Sequence, residues 1–132
     1  MIDLDSLVSE VQEREGIEID RLDPGTKLVI KTRNSTYNIE VVDKTKVLIT
    51  GGKRVNGSAR YSKPTSVIIV GATFGGSVIK VGWIGEDMNM EIYEHATKKR
   101  VLVTTPVKAA TITTISGTRQ LWGEDTWMAE GF

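Results

Sequence analysis

Leu4, Leu7, Val8 and Val11 recur at the i, i+3, i+4, i+7 spacing of one helix face. Asp3 stands where an N-cap belongs, Asp5 falls in the first turn, where negative charge suits the helix dipole, and Gly16 offers a C-terminal stop. The spacing predicts a helix over about residues 3–15. A helix of about three turns does not hold alone in water, so its apolar stripe must dock on the rest of the chain or on a partner.

After Asp23-Pro24-Gly25 the period changes to two. Leu28 and Ile30 face one way, while Lys27, Val29, Lys31 and Arg33 face the other. Asn34-Ser35 reads as a hairpin tip, followed by an alternating strand through Tyr37, Ile39 and Val41 and a third over residues 46–50. Three consecutive strands with tight turns imply an antiparallel meander. Gly51-Gly52 opens a polar stretch to Lys63, expected to be a long exposed loop ended by Pro64. Residues 66–70 form a β-branched run, read as a central strand. Residues 78–84 follow, with Gly82 marking a bulge or a close backbone approach. Residues 88–93 alternate, and residues 100–105 and 107–115 are separated by Pro106, which marks an edge or bend.

Short, evenly spaced strands with glycine-rich turns predict a mostly β fold, a small antiparallel barrel or partly open barrel of the SH3-like or related kind. The expected organisation is one domain over residues 1–132: a helix at 3–15, a β barrel at 26–115 and an extended tail at 117–132. No family motif spans enough of the chain to assign a family.

Composition narrows the chemistry. The chain has 132 residues and no cysteine, which excludes disulfides and thiolate zinc sites. No apolar run is long enough for a membrane helix, and the acidic start Met1-Ile2-Asp3-Leu4-Asp5 is not a secretory signal, so a cytoplasmic protein away from membranes is expected. Net charge is zero, yet the charges are segregated: residues 1–25 hold 8 acidic and 2 basic side chains, and residues 26–63 hold 9 basic and 2 acidic. Such separation makes local fields that the net charge hides.

Catalytic constellations are sparse. His95 is the one histidine and lies in a polar stretch that reads as a turn between strands, and no serine stands in a nucleophile elbow. Asp87, Asn89 and Glu91 share one face of a strand, but neighbours there sit about 6–7 Å apart, too wide for one ion, so a solvated face is expected rather than a metal site. Gly71-Ala72-Thr73-Phe74-Gly75-Gly76-Ser77 lacks the Lys-Ser/Thr pair and the following helix of a phosphate loop, and reads as a strand-to-strand turn. No enzyme activity, metal or cofactor is expected.

Two binding surfaces remain. The basic segment offers Lys27, Lys31, Arg33, Lys53, Arg54 and Arg60 to a phosphate backbone, with Tyr37 and Tyr61 nearby but Tyr37 placed as core. The segment 121–132 sets Leu121, Trp122, Trp127 and Phe132 among acidic residues, as in a peptide whose aromatic anchors fill an apolar groove with a basic rim. The sequence therefore predicts a non-catalytic β-barrel binding or assembly module that self-associates into a homo-oligomer or docks on a protein partner through that tail. The alternative is a nucleic-acid-binding barrel that uses the basic segment.

Overall fold

The computed structural model describes residues 3–53, 56–74, 78–94 and 99–123. Helix α1 spans Leu4–Arg14, and the Asp3 carboxylate caps it by accepting from Ser6 N at 2.9 Å. Its C-cap is Glu15, in the left-handed region, rather than Gly16. Gly16 is needed for another reason, since a Cβ there would stand 2.3 Å from Nε1 of the buried Trp83. The missing side chain lets the chain leave the helix flat against that indole.

Eleven strands follow among the described residues: β1 Gly16–Glu18, β2 Lys27–Thr32, β3 Thr36–Asp43, β4 Lys46–Gly51, β5 Tyr61–Thr73, β6 Ile79–Val81, β7 Trp83–Gly85, β8 Asn89–Glu94, β9 Lys99–Val103, β10 Val107–Thr114 and β11 Gly117–Trp122. A single turn of 3-10 helix, Ile19–Arg21, joins β1 to the stretch before β2. All ladders are antiparallel. The main sheet runs β11-β10-β2-β3-β4-β5-β8-β9, with β6 paired to β5, and β1 and β7 form a separate two-stranded sheet. The predicted meander is β2-β3-β4, with Leu28 opposite Ile39 and Ile39 opposite Ile49.

The antiparallel sheet is not closed into a barrel, since its end strands β9 and β11 do not pair with each other. One physical reason lies at β11, where α1 packs: Gln12 Nε2 donates to the Leu121 carbonyl, and Asp5 pairs with Arg119. The helix covers the strand edge that closure would need.

Three further boundaries differ from expectation. Pro64 does not end a loop but lies within β5, next to a register shift in the β4–β5 ladder that absorbs its missing N–H. Gly82 divides its stretch into β6 and β7, which pair with different partners; its N–H bonds Val70 O and its carbonyl accepts from Ile19 N. The tail begins later than residue 117, because Gly117–Trp122 is a strand held by its pairing with β10.

The core is one cluster. Leu7, Val8 and Val11 of α1 meet Leu28 and Ile30 of β2, Ile39 and Val41 of β3, Ile49 of β4, Ile69 of β5 and Ile92 of β8. Fully burying each such side chain contributes roughly 1.5–3 kcal/mol. Leu121 and Trp122 belong to the same cluster. At the corner between β9 and β10, the buried Thr104 hydroxyl accepts from Met90 N at 2.9 Å and donates to Thr105 O at 2.7 Å. No helix among the described residues is long and apolar enough to cross a membrane.

Candidate functional site

Strand β2 alternates buried Leu28, Ile30 and Thr32 with Lys27, Val29 and Lys31 on the outer face of the sheet. At its far end the chain reverses tightly. Thr32 N donates to Ser35 O at 2.8 Å, and Ser35 N donates to Thr32 Oγ1 at 3.1 Å. The tip is also tied to the β9–β10 corner: Arg33 N donates to Pro106 O at 3.1 Å and Asn34 N to Thr105 Oγ1 at 3.3 Å. These bonds hold the Arg33 backbone in place while its side chain stays exposed.

The chain leaving β4 comes to the same tip. Gly51 and Gly52 both have positive φ, and Gly52 N donates to Thr36 O at 2.9 Å. A Cβ on Gly52 would lie 2.6 Å from the Tyr37 ring, so only glycine lets this segment lie over that ring and bring Lys53 to the hairpin. The result is a shallow, open cleft lined by Lys31, Arg33 and Lys53 together with Asn34, Ser35 and Thr36. Beneath it Tyr37 is buried; burial pushes its hydroxyl pKa up, against the opposing pull of a hydrogen bond with Ser35 and the charge of Arg60.

The cleft adjoins a second depression. Val29, Asn38 and Thr50 stand opposite one another on β2, β3 and β4, one pleat from Lys31, Thr36 and Gly52. Together with Leu48, Pro64 and Lys27 they line a groove of about 320 Å³. The groove is partly apolar at Val29 and Leu48 and carries both Lys27 and Glu40, whereas the cleft beside it holds Lys31, Arg33 and Lys53. The groove's apolar floor was missed from the sequence; the signal was an aliphatic residue on the polar face of β2 (Val29) and another on that of β4 (Leu48).

The structure thus gathers Lys31, Arg33 and Lys53 around one cleft, sets Arg60 beside Tyr37, and puts Lys27 in the separate groove. Arg54 lies outside the described residues. The acidic N-terminal segment makes its described ion pairs elsewhere: Glu10 with Arg14 and Arg21, Glu18 with Arg14, and Asp5 with Arg119.

Of the expected partner anchors, Leu121 and Trp122 are 1% and 8% exposed and packed in the chain's own core. They are not free to fill a pocket on another molecule. Trp127 and Phe132 lie outside the described residues, as does His95. Asp87 sits in a turn and pairs with Lys108 at 2.8 Å, Asn89 donates to the Thr104 carbonyl, and Glu91 is buried rather than solvated. No group of three or more His, Cys, Asp or Glu side chains comes together among the described residues. Phe74, Val78 and Val81 are 66%, 76% and 77% exposed on the β5–β6 hairpin.

Comparison with protein-family models, with curated proteins and with solved structures returned no match.

Proposed function

We propose that the chain is a non-catalytic β module that binds nucleic acid by its phosphate backbone, in the cleft between the β2–β3 hairpin and the chain leaving β4. The observation that carries this reading is the convergence of Lys31, Arg33 and Lys53 on one concave surface from two separate parts of the sequence. Asn34, Ser35 and Thr36 add amide and hydroxyl groups to the lining, and the remainder is Thr32, Gly52, Gly57 and Ala59. Protein interfaces have apolar, aromatic centres, whereas nucleic-acid interfaces are polar and strongly positive. The cleft has the second character. Tyr37 and Tyr61, the aromatics of this region, are buried at 3% and 4% exposure, so contact is with phosphate rather than by stacking on bases. Binding independent of sequence follows.

The sheet in this proposal is a partly open barrel of the SH3-like kind. Supporting that reading, Thr104 N donates to Met90 O, Val107 N to Met88 O and Asp87 N to Val107 O, which brings the start of β8 against the β9–β10 corner, while Val107 pairs with Thr32 of β2.

The test is a titration of labelled duplexes of two unrelated sequences at low salt. Both should bind alike, and Arg33→Glu and Lys53→Glu should weaken both to the same degree. Absence of binding by the parent chain at low salt defeats the proposal.

Self-association or docking on a protein is the second reading. With Leu121 and Trp122 consumed by the core, it rests on the exposed Phe74, Val78 and Val81, since clustered exposed apolar groups mark interfaces. Solution mass tests its self-association form: an oligomer that dissociates in Val81→Lys supports it, and a monomeric parent removes self-association.

A further inference from the structure

The groove beside the cleft differs from it in chemistry. Val29, Asn38 and Thr50 are register partners on β2, β3 and β4, and Leu48 and Pro64 extend the aliphatic part of the lining. Val29, Leu48 and Thr50 are half-buried, and Asn38 is exposed. Lys27 and Glu40 stand opposite one another across β2 and β3 and also line the groove. A phosphate placed there would meet a carboxylate as well as an ammonium group, so the groove does not continue the cationic surface of the cleft. It suits a neutral group with apolar faces and a polar edge. At about 320 Å³ it falls at the small end of the range of sites that hold one small molecule.

We propose that the groove receives one unpaired base of a nucleic-acid strand whose phosphates lie in the cleft, so that the protein binds a single strand more tightly than a duplex. This inference rests on the reading of the cleft as a phosphate site. Spacing supports it: Val29 in the groove and Lys31 in the cleft are two residues apart on one face of β2, about 7 Å, which is comparable with the distance from a nucleotide's phosphate to its base. Val29, Leu48 and Pro64 would cover the apolar face of the base without an aromatic platform. The Asn38 amide carries a donor and an acceptor side by side, and so does the pairing edge of every base. That edge is open in a single strand and taken by the partner base in a duplex. The same match holds for all four bases, so the groove selects for the unpaired state and not for a sequence. Duplex DNA keeps its bases stacked and paired, and reaches the cleft alone.

The test is a low-salt titration of the full chain with a short labelled DNA strand and, separately, with the duplex of the same length. The single strand should bind about tenfold tighter, the effect of one pair of neutral hydrogen bonds. Val29→Trp, which fills the groove, and Asn38→Ala, which removes the amide, should each bring the single strand down to the duplex affinity and leave the duplex unchanged. Where Val29→Trp also weakens the duplex, it has disturbed the cleft, and Asn38→Ala alone decides. Backbone amide shifts give a second readout: Val29, Asn38 and Thr50 should move with the single strand and stay in place with the duplex, whereas Arg33 and Lys53 should move with both. A parent that binds the duplex as tightly as the single strand overturns the base site and leaves the phosphate cleft standing. A single-strand preference that survives Asn38→Ala, with the groove amides unmoved, also overturns it. Binding of neither probe defeats the phosphate reading itself.

Discussion

Leu121→Ala separates a core strand from a docking arm. The side chain is 1% exposed and sits in the cluster that also holds Trp122 and Ile30. The change removes three carbons. At about 0.8 kcal/mol per buried carbon the transfer loss is about 2.4 kcal/mol, and the cavity left behind raises the total to roughly 3 kcal/mol. For a chain of this length that lowers the melting temperature by about 10 °C. Urea unfolding at two protein concentrations tenfold apart is the assay. The loss should be the same at both, because the contact lies within one chain. A loss that grows or shrinks with concentration would mean that Leu121 is held by another copy. A loss below about 0.5 kcal/mol, typical of a surface site, would refute the core assignment. Truncation makes the same point: ending the chain after Gly117 removes Leu121 and Trp122 and should abolish cooperative unfolding, whereas ending it after Gly123 should preserve it.

Other expectations follow from local geometry. Gly16→Ala drives a methyl into Trp83 and should cost about 1–3 kcal/mol, and the penalty should shrink when Trp83 is first replaced by leucine; equal penalties in both backgrounds would contradict the contact. The Asp3 carboxyl is held below its ordinary pKa by the backbone N–H and hydroxyl of Ser6. A depressed folded pKa stabilises above the unfolded value and is lost as pH falls through the folded one. Asp3→Ala should therefore lower the melting temperature near neutral pH, and the gap from the parent should close in acid below the usual carboxylate range. A gap that is independent of pH would show that the cap does not act through its charge.

How much could be read from the sequence varied with the kind of signal. The helix was legible because Leu7, Val8 and Val11 repeat at helical spacing, and β2, β3 and β4 because their alternation is clean. Strand β1 was not, since three residues carry no period and its existence depends on pairing with β7, far along the chain. Strand β11 was obscured by its polar run Thr118-Arg119-Gln120, whose place is set by β10 rather than by burial. The cations of the site were visible as a basic segment. Their convergence was not, because it depends on the glycine turn that lays the chain over Tyr37. Lys27 shows the limit: it has the same charge and face as Lys31, yet the strand carries it away from the cleft into the neighbouring groove.

The most direct test of the central claim is the salt dependence of duplex binding by the parent and by Arg33→Glu, followed by fluorescence anisotropy. Each phosphate contact contributes about −0.9 to the slope of log affinity against log salt. With Lys31, Arg33 and Lys53 lining the cleft, the parent slope should be roughly −3, and that of Arg33→Glu shallower by about one unit. A parent that does not bind, or a variant with an unchanged slope, would contradict the assignment of the cleft as the phosphate site.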